Sequence, residues 1–345
     1  MSQSSKNAQR IVLASRPKGE PQTSDFRLEN CPIPKPADGE VLLRVLYLSL
    51  DPYMRGRMND AKSYAEPVEI DAVMEGGTVA QVIESRHDDF AAGDIVLAHA
   101  GWQTHAVATG KQIQRKLDPQ QAPLSTALGV YGMPGFTAWA GLEEIGKPQK
   151  GETLVVAAAS GPVGGTVGQI AQKRGARAVG VAGGAEKCDF VRNELGFDLA
   201  IDHHADDFAE QLKAACPDGV DVYWENVGGP VWEAVLPLLN KHARVPVCGL
   251  VAHYNDTELP PGPNRAPALM GSILTRSLTV RGFIQLEFAR RYPEFLKEMG
   301  GWLRAGELHY REDVVEGLEQ APEAFIGMLN GGNFGKLLVR VAEPS

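Results

Sequence analysis

Cysteine is scarce in this chain, long apolar runs are missing, and basic charge is outweighed. Four cysteines among 345 residues, Cys31, Cys188, Cys216 and Cys248, lie far apart with no C-x-x-C pair. That spacing excludes a disulfide framework and a thiolate zinc site, and leaves small buried side chains as the expected role. No stretch reaches the length needed to cross a bilayer. The opening residues, MSQSSKNAQR, are polar and are not followed by the apolar core of a secretory signal, so a cytoplasmic location is expected. Lys and Arg number 34 against 43 Asp and Glu, and the net charge of -9 argues against nucleic acid or an anionic membrane as partner. A content of 43% hydrophobic and 22% charged residues is ordinary for a globular protein, and the length allows two domains.

What is abundant is glycine at one informative place. Residues 154–174, LVVAAASGPVGGTVGQIAQKR, read as an apolar strand, a glycine-rich turn and a helix. Gly161 and Gly164 leave no Cβ where a pyrophosphate must approach the backbone, and Pro162 suits the first helical turn, where its missing N–H costs little. Val163, Val167, Ile170 and Ala171 form the apolar face; Gly168 lets the helix approach the strand, and Gly175 is a C-terminal stop. Ala159 stands where G-x-G-x-x-G has its first glycine, so the pattern gains specificity only from its context.

That context is a change of texture near residue 125. Before it come short β-rich runs at 10–13, 41–50, 77–83, 94–98 and 102–107, with prolines 32, 34 and 36 as punctuation, which predict a barrel-like, mostly antiparallel domain. After it strand and helix alternate: strand 153–159, helix 163–174, strand 178–182, helix 186–194, strand 199–202, helix 208–215, strand 220–225, helix 231–239, strand 243–248. Such βα units predict a doubly wound parallel sheet, a Rossmann domain, with ligands at the carboxyl ends of the strands. The irregular segment 254–268, with four prolines, reads as a lid or substrate wall; a strand at 278–282, a long helix at 288–305 and a strand at 334–341 follow. Domains are expected at 1–125 with 315–345, β-rich, and at 126–314, nucleotide-binding.

An NAD site commonly has Asp or Glu at the end of the second strand, gripping the adenosine ribose. Here the position reads VAGGAEK: Gly183 and Gly184 remove the acid, and Lys187 can meet a 2′-phosphate as a point charge, which favours NADP. A solvated helix lysine is the other reading of Lys187, and Glu186 is read as a helix-start acid. Consecutive histidines after a strand rarely face one ion, so His203 and His204 with Asp206 and Asp207 are not read as a metal cluster.

The segments LSLDPYMRGRM (48–58), AASGPVGGTVGQIAQ (158–172), EKCDFVRNELGFD (186–198), WENVGG (224–229), CGLVAHYN (248–255), LPPGP (259–263) and GNFGK (332–336) occur in order along nearly the whole chain. Together they make the chain resemble the zinc-independent medium-chain dehydrogenase/reductases, within the leukotriene dehydrogenase/prostaglandin reductase group, with the bacterial curcumin-reductase branch the best match. The resemblance implies a GroES-like catalytic domain completed by the carboxyl-terminal tail, an inserted nucleotide domain, NADPH-dependent reduction of a C=C bond conjugated to a carbonyl, and a homodimer. It places Phe283, Ile284 and Gln285 against the nicotinamide carboxamide and Asn333 near the phosphates. It also implies a tyrosine beside the adenosine phosphate, where this chain has His203, an imidazole that can still reach it.

Zinc alcohol dehydrogenases of the superfamily carry a G-H-E triplet and a cysteine cluster; here VMEGGTV occupies the triplet's region and no cluster exists. An enone needs less: hydride reaches the β-carbon, and one or two donors hold the enolate. Tyr254, after the strand ending at Cys248, is the expected donor, with the cofactor's ribose hydroxyl a second by resemblance. A tyrosine that merely packs against the loop is the alternative. Tyr53, with Met54, is expected in the substrate pocket or else in the domain core. Asn226, Cys248 and Gly249 sit at strand ends facing the cofactor, and turn formation is the other reading of both Asn226 and Asn333. An exposed strand near 278–282 can extend a sheet across a two-fold axis. Quinone reduction, and a non-catalytic NADPH-binding role, remain as alternatives.

Overall fold

The computed structural model describes residues 7–258 and 262–344, and the chain divides into two compact units. One runs to Leu128 and resumes at Glu312; the other is Gly129–Arg311. As expected, one is built on antiparallel strands and the other on a doubly wound parallel sheet.

The first unit opens with β1 (Asn7–Leu13) antiparallel to β2 (Phe26–Pro32). The long β3 (Glu40–Ser49) pairs antiparallel with β4 (Thr78–Ser85) and, on its other side, with both β6 (His105–Thr109) and a later strand. β4 continues to β5 (Ile95–Ala98) and β5 to β7 (Ile113–Leu117). β3 is buried along most of both faces, which its near-continuous apolar sequence EVLLRVLYLS allows. A five-residue helix, α1 (Tyr53–Arg57), follows β3. Below it the Trp102 ring stacks on Phe26 at 5.6 Å and meets Phe325 edge-on at 5.6 Å, the geometry that aromatic quadrupoles prefer.

The second unit starts with α2 (Met133–Gly141). Its sheet holds β8 (Thr153–Ala157), β9 (Arg177–Ala182), β10 (Leu199–Asp202), β11 (Val220–Trp224), β12 (Leu239–Val247) and β13 (Thr279–Gly282), in the order β10-β9-β8-β11-β12-β13, all parallel. The intervening helices are α3 (Pro162–Lys173), α4 (Ala185–Asn193), α5 (Phe208–Ala215), α6 (Gly229–Val235), α7 (Ala266–Arg276) and α8 (Tyr292–Arg304). Strand order reverses between β8 and β11, and the carboxyl ends there form the crevice in which such sheets bind ligands.

The chain then returns to the first unit with β14 (Glu312–Glu316), α9 (Ala321–Leu329) and β15 (Lys336–Arg340), β15 lying parallel to β14 and antiparallel to β3. Several sequence expectations shift. β8 ends at Ala157 because Ala158 turns left-handed at φ 54°. The helix expected over 231–239 stops at Val235, gives way to a 3₁₀ turn containing Pro237, and Leu239 already belongs to β12. The helix expected from 288 begins with a 3₁₀ segment, Gln285–Arg291, before α8, whose first turn holds Pro293. The irregular 254–268 segment ends inside α7, and its residues 259–261, with that part of LPPGP, lie outside the described residues. Of the four cysteines Cys216 is buried and the others are half-buried, and all four are free.

Candidate active site

The turn 158–161 decides how α3 begins. Ala158 holds φ 54°, a conformation a non-glycine residue adopts only under constraint, and its carbonyl accepts the Gly161 N–H at 3.1 Å. Gly164 is required by this same turn: a Cβ there would fall 2.3 Å from the Ala158 oxygen and 2.8 Å from its carbonyl carbon. Its glycine is therefore set by the chain's own backbone. At Gly161 a Cβ would meet only that oxygen, at 3.3 Å, so its outer side is open. Gly161 is the N-cap, Pro162 follows in the first turn, and no side chain caps the helix. The amides of Val163 and its neighbours thus open a helix N-terminus, which favours an anion. At Gly168 the nearest neighbour is the Phe197 ring, 1.9 Å from where a Cβ would be.

Past β9 the turn is likewise built by its own chain. A Cβ on Gly183 would come within 3.0 Å of the His204 ring and 3.1 Å of His203, whose centroids are 4.1 Å apart. Gly184 has φ 87°. Asp202, the carboxylate nearest this turn, spends Oδ1 on the amides of Gly184 and His204, both at 2.9 Å, and these bonds hold its carboxyl below the usual range. Desolvation and then His204 lower the His203 pKa. Lys187 stands half-buried one turn into α4. No acid stands within the turn after β9, and Asp202 is engaged by backbone amides, while Lys187 and His203 supply bases, so the residues fit a nucleotide with a phosphorylated ribose. Among the described residues no three His, Cys, Asp or Glu side chains gather as a ligand set, and Asp207 instead accepts from Gln211 at 2.6 Å.

At the switch point Asn226 uses both ends of its amide. Nδ2 donates to the Ala157 carbonyl at 2.8 Å and Oδ1 accepts from the Trp224 indole at 3.0 Å, so it sews the end of β8 to that of β11. Cys248 lies beside the same indole, and burial pushes its thiol up to about 12. Tyr254 follows the 3₁₀ turn Val251–His253, and its hydroxyl rests over Gly249, 3.1 Å from where a Cβ would sit. The structure thus brings Asn226, Cys248, Gly249 and Tyr254 to the ends of β11 and β12. Phe283 is buried edge-on to Trp224 at 5.7 Å, while the Ile284 amide donates to Glu287 at 2.8 Å and Gln285 begins the next 3₁₀ segment. Glu225, at the carboxyl end of the strand expected at 220–225, is buried beside them.

In the first unit Tyr53 is half-exposed on α1, with Arg57 5.7 Å from its ring; desolvation first, then Asp51, raises its phenol pKa. Met54, expected beside it in a pocket, is instead fully buried in the core. Asn333 bonds the Gly335 carbonyl within its own turn at 2.8 Å. Lys336 is buried, donating to the Leu50 carbonyl at 2.6 Å and Asp51 at 3.0 Å, and so ties β15 to the start of α1.

Comparison with known proteins bears on both units. A model described as the N-terminal domain of oxidoreductase matches residues 9–115, and one described as zinc-binding dehydrogenase matches 162–300. The chain is 57% identical to the NADPH-dependent curcumin reductase of Escherichia coli (strain K12), over 99% of both chains. It belongs to the medium-chain dehydrogenase/reductase family. Within that family it is 38% identical to the NADP(+)-dependent 2-alkenal reductase of Nicotiana tabacum, over 96% of this chain and 97% of the relative. The crystal structure of CurA from Vibrio vulnificus in complex with NADPH superposes with a TM-score of 0.94 at 55% identity, covering 97% of this chain and 100% of that one.

Proposed function

We propose that this family member reduces the C=C bond of small α,β-unsaturated ketones and aldehydes, with NADPH as hydride source and no metal. An NADP-dependent oxidoreductase acting on such bonds is what family membership gives; the substrate class and mechanism are our reading. The observation that carries it is the Tyr254 hydroxyl at Gly249, on the same sheet end as the uncapped start of α3. When bound, NADPH supplies hydride. The amides of Val163 and Gly164 would receive the pyrophosphate, with Gly161 and Pro162 shaping the approach, and Lys187 with His203 would receive the 2′-phosphate. Gly183 lets those imidazoles close over the turn. Asn226 and Cys248 would shape the nicotinamide end, with Phe283, Ile284 and Gln285 offering backbone to its carboxamide.

Tyr254 donates a hydrogen bond to the carbonyl oxygen, where negative charge develops as the enolate forms, and a proton then reaches the α-carbon. The metal-free reading rests on the donor set: no three ligating side chains converge among the described residues, and a conjugated carbonyl needs only hydrogen-bond donors. Replacing Tyr254 with Phe removes one such donor and should lower kcat on an enone by about 10²-fold. NADPH affinity, read by fluorescence titration, should stay within about twofold; unchanged turnover would remove the role.

A homodimer fits the edge strand β13, exposed along its whole length, and the apolar side chains near it, Met270, Leu274 and Leu286. Sedimentation velocity distinguishes dimer from monomer. A cytoplasmic setting suits four free thiols, and among the described residues no helix is long and apolar enough to cross a membrane.

A further inference from the structure

Glu225 takes no part in the chemistry above, yet it is 3% exposed and one of its oxygens collects three hydrogen bonds. Tyr223 donates its hydroxyl to Oε1 at 3.0 Å, the Val227 amide at 2.7 Å and the Gly228 amide at 2.8 Å. Burying a carboxylate is costly, and burial does raise its pKa while the two amides lower it. A strand that only needed to end here could do so with a small or apolar side chain. What the three bonds accomplish is to fix the backbone of the turn 225–228.

That backbone receives the segment leading to Tyr254. The Glu225 carbonyl accepts the amides of Cys248 at 2.9 Å and Gly249 at 3.2 Å, Asn226 accepts Val251 at 3.2 Å, and Val227 accepts Ala252 at 3.0 Å. Gly228, at φ 80°, leaves room for the His253 ring, which a Cβ would approach to 2.9 Å. His253 is in turn held by Asp256 at 2.7 Å. Each residue from 248 to 253 therefore has a contact that depends on the turn or on the segment's own 3₁₀ bonds, Leu250 through its carbonyl, which accepts the His253 amide at 2.9 Å. Tyr254 stands at the end of this ladder.

We infer that Glu225 is a positioning residue for Tyr254: its carboxylate clamps the 225–228 turn in the conformation that sets the phenol at the strand end. The inference rests on the reading of Tyr254 as the hydrogen-bond donor. The clamp needs an accepting oxygen and not a charge. Glutamine supplies that oxygen at the same reach, whereas alanine strands three buried donors.

The test measures amide hydrogen exchange and kcat in Glu225→Gln, Glu225→Ala, Tyr254→Phe and the double variant Glu225→Ala/Tyr254→Phe. Glu225→Ala should speed exchange of the Gly249, Val251 and Ala252 amides and lower kcat, each by about tenfold or more, with NADPH affinity within about twofold. Glu225→Gln, which also guards against a misfolded alanine variant, should stay within about threefold of wild type in both. In the Tyr254→Phe background the alanine change should lower kcat by less than about twofold, because the donor it positions is already gone. Equal losses in both backgrounds, unaltered exchange at 249–252, or a glutamine variant as impaired as alanine would each overturn the inference. A Tyr254→Phe enzyme that keeps full turnover overturns the reading of Tyr254 itself, and the exchange data then still decide whether Glu225 clamps the turn.

Discussion

Gly168 gives a prediction whose sign is set by two opposed effects. It sits inside α3, where replacing glycine with alanine ordinarily stabilises by about 1 kcal/mol, since alanine loses less backbone freedom on folding. Here the added Cβ would land 1.9 Å from Cζ of Phe197 and 2.3 Å from Cε1, against a usual carbon–carbon separation of about 3.5–4.0 Å. The ring must therefore retreat by about 1.5 Å, which is roughly the shortfall from normal contact. It has little room. Phe197 is 3% exposed, and a Cβ on Gly180 in β9 would lie only 3.1 Å from its Cδ1, so the ring is wedged between two glycines. Overpacking of this kind costs about 1–3 kcal/mol, and a wedged ring belongs at the upper end. The propensity gain offsets part, leaving a net loss of about 2 kcal/mol and a midpoint lower by about 4–8 °C for a domain of this size. Thermal and urea unfolding followed by circular dichroism measure it. Gly301→Ala in α8 is the internal control: nothing lies within 4 Å of its Cβ position, so it should gain up to about 1 kcal/mol. Adding Phe197→Leu to Gly168→Ala should recover part of the loss. If Gly168→Ala is as stable as wild type, or gains as Gly301→Ala does, the wedge argument is wrong.

Replacing Lys336 with alanine leaves Asp51 buried without its cationic partner and should cost the protein about 3–5 kcal/mol in urea unfolding. His203, whose pKa is lowered in the folded protein, favours the folded state above its unfolded pKa, and that contribution is lost as pH falls through the folded value. A bound 2′-phosphate reverses the preference, so calorimetric affinity for 2′,5′-ADP should tighten as pH is lowered from about 8 to 6.5, and His203→Asn should flatten that dependence. Leu274→Glu places a charge on the exposed face of α7 and should shift sedimentation from dimer to monomer while the circular dichroism spectrum stays that of the wild type.

The parallel sheet was legible in the sequence because each of its elements announces itself locally. β8, α3 and β9 lie within two residues of their expected bounds, marked by an apolar run, a Gly-Pro start and Gly175 at φ 83°. β2 and β7, reading FRLENCP and IQRKL, carry too much charge to stand out. They become strands through partners distant in sequence, β1 for one and β5 for the other. α7 was hidden by Pro267 and the prolines before it, although Pro267 occupies the first turn, where it is tolerated. At the site, the turns adjoining the strands were readable, but their ties to one another were not. The bond from Asn226 to Ala157 spans 69 residues, and a left-handed alanine at 158 leaves no mark in composition. Glu225 offered one faint signal, an acid at the carboxyl end of an otherwise buried parallel strand.

The position of β15 has a consequence for the order in which the protein can be made. This strand joins β14 to β3 in the antiparallel sheet, yet it is translated after every residue of Gly129–Arg311. Domains usually mature on the ribosome in the order of their synthesis. Here the earlier-encoded unit waits with an open edge on β3 while the later one already has all six of its strands. A chain truncated between residues 317 and 335 would hold every strand of the parallel sheet while the antiparallel sheet lacked β15, leaving the Tyr47–Ser49 edge of β3 unpaired.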